Sequence, residues 1–255
     1  MDMQDRLEEL SQRRAALMQG GGPRAVERQH RRGKLTARER LDILLDPDTF
    51  VELDLWAKPR ITGFEIDGRE LPGDGVITGF GEVYGRPVYV YAQDFTVLGG
   101  TLGSTAGKKI IKVMRRALEE RVPCIGLVDS GGVRVQDAVT RSLFDGYASM
   151  FQYLTQASGV IPQITLMMGP CAAGAAYSPA LTDFVFMVKD TSYMYVASPS
   201  LIKAVQFTET TDQELGGAMV HATVSGCCDM VAENDRDCLL LARELLSFLP
   251  ASNLE

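Results

Sequence analysis

Met3, Leu7, Leu10 and Leu17 recur at helical spacing among charged residues, so the chain opens on a predicted amphipathic helix that Gly20-Gly21-Gly22-Pro23 ends. After the basic stretch Arg24 to Lys34, Thr36 and Glu39 stand at capping-box spacing ahead of Leu41, Ile43, Leu44 and Leu45. They predict a second helix stopped by Asp46-Pro47. Asp54 to Asp74 reads as a loop with short extended pieces. From Gly75 the period changes: Val76 to Val83 and Val88 to Ala92 read as strands around a Gly85-Arg86-Pro87 turn, and a helix is predicted from about Thr105 to Arg121.

The units then repeat. Cys124 to Val128 is a short apolar strand running into Ser130-Gly131-Gly132, with a long helix expected to about Ala157. Ile161 to Met168 is a second, running into Gly169-Pro170 and a small-residue helix from Cys171 to Leu181. Phe184 to Val188 and Tyr193 to Ala197 add strands, and Asp235 to Leu249 a last amphipathic helix. Strand, glycine turn and helix with short connections predict a layered α/β fold whose reactive groups lie where strands hand over to helices. No 20–50-residue repeat of the solenoid kind accompanies this.

At 255 residues with 45% hydrophobic and 23% charged, the chain can bury a proper core, and its apolar runs fall short of the roughly 20 residues a membrane span needs. It reads as soluble. Charge is uneven: residues 1–40 hold 10 basic and 6 acidic side chains, net +4, and the remaining 16 against 27 give −11. An acidic body with one basic arm argues against general nucleic-acid binding and for a local anionic ligand at the arm, although a solvated basic helix explains the charge equally well. The five cysteines form no C-x-x-C pair, which excludes a zinc ribbon and fits a reducing, cytoplasmic compartment. The first residues are too acidic for a signal or transit peptide.

Both glycine turns set backbone N–H groups at a predicted helix start, where negative charge is favoured. Two such turns facing each other can make an oxyanion hole for a thioester enolate, each donor worth roughly 3 kcal/mol. Tight helix-to-sheet packing accounts for the same small residues. Side-chain chemistry is sparse: His30 and His221 lie away from the turns, Ser130 lacks a G-x-S-x-G frame, Ser178 reads as a capping residue, and Lys108-Lys109 miss the phosphate-loop pattern.

Longer motifs carry a family resemblance. Gly33-Lys34-Leu35-Thr36-Ala37-Arg38-Glu39-Arg40, Pro72-Gly73-Asp74-Gly75-Val76, Ala92-Gln93-Asp94-Phe95-Thr96, Asp129-Ser130-Gly131-Gly132, Ala157-Ser158-Gly159-Val160-Ile161-Pro162-Gln163 and Tyr177-Ser178-Pro179-Ala180-Leu181-Thr182-Asp183-Phe184 resemble the carboxyltransferase subunits of biotin-dependent acyl-CoA carboxylases, of the propionyl-CoA carboxylase β and methylmalonyl-CoA decarboxylase α type. Glu214-Leu215-Gly216-Gly217-Ala218 and Arg243 to Pro250 continue it, so it covers essentially the whole chain.

The resemblance implies a crotonase-like ββα superhelix with an N-terminal helical arm: 1–45 the basic arm, 46–249 the carboxyltransferase N-domain, and 250–255 the start of an interdomain linker or a tail. It implies an acyl-CoA thioester as substrate and carboxybiotin on a carrier protein as cofactor, with no metal in this domain. A complementary C-terminal half, the biotin carboxyl carrier protein and a homo- or hetero-oligomer are the implied partners. The backbone N–H groups of Gly132, Val133, Ala173, Gly174 and Ala175 would hold the thioester oxyanion, Gly131 would let the backbone approach the coenzyme, and Arg31, Lys34 and Arg38 would meet its phosphates. Several positions depart from the family pattern: Val133 for Ala, Ala173 for Gly, the Ser104-Thr105-Ala106-Gly107 stretch without the usual Glu and His, and Val224 and Asp229 where Lys and His are common. Ala173 keeps the family geometry on the expectation that its φ stays negative. Two other readings stand beside this one. A biotin-independent crotonase-fold decarboxylase or isomerase would use Asp129 or Asp137, and a scaffold subunit would have no chemistry.

Overall fold

The computed structural model describes residues 2–59, 69–138 and 142–255, without the side chains of 138 and 142–145. Part of the expected Asp54 to Asp74 loop and part of the long helix before Ala157 lie outside them. Helices α1 (Met3–Leu17), α2 (Pro23–Arg31) and α3 (Ala37–Leu44) lead into strands β1 (Val51–Leu53), β2 (Val76–Val83) and β3 (Arg86–Gln93). Then come α4 (Ser104–Glu120), β4 (Cys124–Ser130), α5 (Val135–Ala138), α6 (Ser142–Ala157), β5 (Gln163–Ala172), α7 (Tyr177–Ala180), β6 (Phe184–Val188) and β7 (Tyr193–Tyr195). The chain ends with α8 (Pro199–Gln206), α9 (Asp212–Gly216), α10 (Ala218–Val220), a π-helical turn at His221–Ser225, β8 (Met230–Ala232) and α11 (Asp235–Phe248).

The sheet runs β1-β2-β3-β4-β5-β6-β8, with β7 also beside β5. The first two pairings are antiparallel and the rest parallel, the parallel ones joined by crossover connections. Its central strands are buried on both faces and read as apolar runs: β4 has no exposed residue. One face packs against α4 and α6 through Ile110, Val113, Met150 and Leu154. The other packs against α3 and α11 through Leu41, Leu44, Leu239 and Ala242.

Thr36 caps α3 in the expected capping box with Glu39, which satisfies N–H groups that the first turn leaves open. Because α3 is buried in this second core, the expected boundary at residue 45 cuts through packed structure. α1, by contrast, leaves Met3, Leu7 and Leu10 exposed. In the terminal segment Ser252 is buried and the Asn253 N–H donates to Val160 O at 2.9 Å, so residues 250–255 fold back on the body.

The expected turn at Gly169-Pro170 is instead strand. β5 continues through both residues to Ala172, and the register against β4 shifts between Val128 and Ser130. Met168, Gly169 and Pro170 therefore stand opposite Asp129 as a bulge, where a proline without an N–H is tolerated. Helix starts only after a 3-10 turn at Ala173–Ala176, so the predicted Cys171 to Leu181 helix shrinks to the four residues of α7.

Candidate active site

Parallel β4 and β5 end side by side, with Ser130 in register with Cys171, so the two small-residue turns that follow are neighbours. A Cβ on Gly132, whose φ is 97°, would lie 3.2 Å from Ala172 O. The Gly131 N–H donates to Gly99 O at 2.9 Å and the Gly132 N–H to Ser130 Oγ at 3.1 Å. These two amides brace the turn. Val133 N–H donates to no partner among the described residues, while its neighbours bond Leu102 on both sides. Across the gap, Ala173, Gly174 and Ala175 open a 3-10 turn, in which i→i+3 bonding occupies the Ala175 N–H with Ala172 O and leaves those of Ala173 and Gly174 without an acceptor in the turn. A Cβ on Gly174 would meet nothing within 4 Å, so the backbone there is open to an approaching ligand.

Ala173 departs from expectation: its φ is 56°, in the left-handed region. The alanine holds the conformation that glycine adopts more readily, at a cost of about 1–2 kcal/mol, and the turn keeps its course.

Ser130 is fully buried, its hydroxyl donating to Gly100 O at 2.7 Å, which makes it a brace rather than a nucleophile. Asp129 beneath it is also fully buried. It accepts from Lys34 Nζ at 2.6 Å, from an Arg40 guanidinium nitrogen at 2.9 Å and from Gln29 Nε2 at 3.0 Å. Arg40 reaches on to Asp235 at 2.7 Å. Burial pulls the Lys34 pKa below the usual lysine value, with Asp129 opposing. On the other flank Arg134 is buried between Asp74, Asp137 and Thr101 O, and Asp74 also accepts the Ala106 N–H at 2.8 Å. Asp129 and Asp137 are thus buried and ion-paired, and neither is presented as a free base. His30 pairs with Glu39, and His221 lies between Met194 O and Ser225 Oγ.

The predicted phosphate ligands separate. Lys34 is 4% exposed and spent on Asp129, and Arg38 is bonded through both terminal nitrogens to Glu52 at 2.8 and 3.1 Å. Arg31 is exposed on α2 beside Glu27 at 3.1 Å. A cavity of about 340 Å³ instead gathers Arg28, Arg32 and Arg69 around Phe95, Thr96 and Gly99. Arg32 sits over the Phe95 ring at 5.8 Å. Gly99, whose carbonyl takes the Gly131 N–H, joins this cationic cavity to the glycine turn. Within the basic stretch Arg24 to Lys34 it is helix α2 that brings Arg28 and Arg32, four residues apart, to one cavity, which charge alone does not show. Pro23 at the first helical position was the available signal.

Residues 28–255 match the carboxyl transferase domain. The chain belongs to that family. It is 51% identical over 253 residues to the methylmalonyl-CoA decarboxylase subunit alpha of Veillonella parvula, and 52% identical over 251 residues to the propionyl-CoA carboxylase beta chain of Cereibacter sphaeroides. These cover 99% and 98% of the chain and 49% of each relative, so the chain spans about half the length of the curated relatives it matches. The solved transcarboxylase 12S hexamer, with methylmalonyl-coenzyme A bound, superposes with a TM-score of 0.96 at 46% identity over 100% of this chain and 49% of that one. The fold is accordingly that of the crotonase-like carboxyl transferases, as the sequence motifs implied. Among the described residues no helix is long and apolar enough to cross a membrane.

Proposed function

We propose that this carboxyl transferase domain is the acyl-CoA-binding half of a biotin-dependent carboxyltransferase acting on a short acyl-CoA of the acetyl, propionyl or methylmalonyl type. The observation that carries the reading is the pair of abutting turns after β4 and β5, which offer Val133 N–H from one side and the Ala173 and Gly174 amides from the other. Loss of the α-proton leaves its electron pair delocalised onto the thioester oxygen, and fixed N–H donors stabilise that oxyanion by roughly 3 kcal/mol each. Gly131 and Gly132 brace the turn rather than donate.

Biotin, on a carrier protein, supplies the one-carbon unit and a ureido nitrogen for the proton when it is bound. This chain's groups hold and orient the thioester. That division of labour fits a site whose carboxylates are buried in ion pairs, and it disfavours the biotin-independent reading through Asp129 or Asp137. The coenzyme phosphates lie at Arg28, Arg32 and Arg69, with Arg31 exposed on the same helix α2, while Lys34 and Arg38 support the site from within. A complementary half provides the biotin pocket, and the working unit is an oligomer with the carrier protein as partner; free thiols at all five cysteines are compatible with a reducing compartment such as the cytoplasm.

Calorimetry with propionyl-CoA tests the assignment. Arg28→Gln with Arg32→Gln should weaken binding about tenfold or more and flatten its salt dependence. Unchanged affinity at low salt would remove this cavity from the coenzyme site. Biotin-dependent carboxyl exchange should appear only when a complementary C-terminal half is added. Robust turnover by the homogeneous chain alone would favour a complete single-domain enzyme.

A further inference from the structure

We propose that the Val133 side chain and the Tyr147 hydroxyl form the floor of the acyl pocket and restrict the thioester to a chain of two or three carbons. The inference rests on the function proposed above. Leu102, Val133 and Tyr147, with Gly103 and Gly146 and the polar residues Ser104 and Asp137, line a cavity of about 10 Å³, room for roughly one water or one methyl group. Val133 belongs to both features: its amide is one of the free donors, and its residue lines this space. An acyl carbonyl held at that amide has its tail within a few bonds of the cavity.

Tyr147 adds chemistry to the shape. It is 8% exposed, its ring is held against Phe151 at 6.0 Å, and Phe151 against Tyr177 at 6.0 Å, yet among the described residues its hydroxyl has no hydrogen-bond partner. A buried unpaired hydroxyl costs stability unless something meets it, and one water fits the space. A two- or three-carbon acyl group leaves that water in place. A longer apolar tail must displace it and cover the hydroxyl with methylene, which penalises the longer chain twice, by volume and by an unmet hydrogen bond. Pockets built this way separate neighbouring substrates by roughly 10- to 200-fold per methylene.

The test is calorimetric binding of free CoA and of acetyl-, propionyl-, butyryl- and hexanoyl-CoA to the chain, with its co-purifying subunits where there are any. Wild type should favour propionyl- over butyryl-CoA by about tenfold or more. Val133→Ala, by adding volume, and Tyr147→Phe, by removing the hydroxyl that a longer tail would leave unmet, should each narrow that ratio severalfold. Tyr147→Phe should melt no lower than wild type, because among the described residues the hydroxyl has no protein partner to lose. The same propionyl-to-butyryl ratio in all three proteins, or a melting temperature several degrees lower in Tyr147→Phe, would overturn the inference. A wild type that binds CoA and every thioester equally overturns it alone, whereas one that binds none of them removes the proposed function as well.

Discussion

Lys34→Met separates the two roles open to that lysine. If Lys34 meets a phosphate, its loss weakens coenzyme binding and leaves the fold intact; if it belongs to the core, the reverse holds. In the structure Lys34, Arg40, Asp129 and Asp235 form a buried group of two cations and two carboxylates with no net formal charge, linked at 2.6, 2.9 and 2.7 Å. Removing Lys34 leaves one negative charge uncompensated in the core. Breaking such a pair costs about 3–5 kcal/mol, and because Arg40 and Gln29 still hold Asp129 the lower end applies, about 3 kcal/mol. For a chain of this size that is a fall of roughly 6–12 °C in melting temperature. Added salt should not restore it, since ions screen a buried pair poorly. In an Asp129→Asn background Lys34→Met should cost clearly less, because the partner charge is already gone. Calorimetric or urea melts decide. A variant that melts within about 2 °C of wild type while losing coenzyme affinity tenfold would refute the core assignment and return Lys34 to the phosphates.

Gly169→Ala should abolish cooperative folding or cost more than about 4 kcal/mol by circular dichroism melts, since its Cβ would lie 2.1 Å from Asp129 Oδ1 and 2.4 Å from Lys34 Nζ. Ala173→Gly should stabilise the chain by about 1 kcal/mol by relieving a left-handed alanine; an unchanged melt would show that the turn carries no such strain. Burial lowers the pKa of Lys109, which donates to Gly73 O and Val76 O, from 10.5 to about 8. The unfolded chain therefore binds the extra proton between those values, so this group's destabilising contribution is full below pH 8 and relieved as pH rises to 10.5. The stability difference between wild type and Lys109→Met should shift in favour of wild type by up to roughly 3 kcal/mol across that window, and a flat difference would count against the shift.

Elements with local signals were legible in the sequence. The Thr36 and Glu39 capping box marked α3, and the apolar runs marked β4 and β6, because the residues that decide these elements are neighbours in the chain. The abutting of the two turns was legible in kind, since parallel strands ending in small residues bring such turns together. What failed depended on distant partners. Gly169-Pro170 has turn composition, but glycine stands there to clear an ion pair between residues 95 positions apart, and the proline stands there because the bulge needs no N–H. The ion pairs of Lys34 with Asp129 and of Arg38 with Glu52 likewise join residues far apart in the chain, and nothing local announces them. The 3-10 turn after Ala172, with a left-handed alanine, contradicts local preference at the very place where the reading puts chemistry, as strained functional backbone does.

On the proposed function the site acts through backbone N–H groups, which leaves its side chains free to differ, so that Val133 and Ala173 retain the amides whatever their side chains. Its precision must come from what holds the backbone. Here two buried ionic clusters flank the glycine turn: Asp129 with Lys34 and Arg40 immediately before Ser130, and Arg134 with Asp74 and Asp137 immediately after Val133. They draw on α3, α11 and the segments before β2 and α4, so the five residues between Asp129 and Val133 are fixed by chain from four other places. Changes within either cluster should therefore reduce stability and catalysis together, while changes at the side chains of Val133 and Ala173 should alter which acyl group is accepted or how strained the turn is. The amide itself is removed only by proline, so Gly174→Pro, in open space and without an N–H, is the substitution that should silence a folded protein.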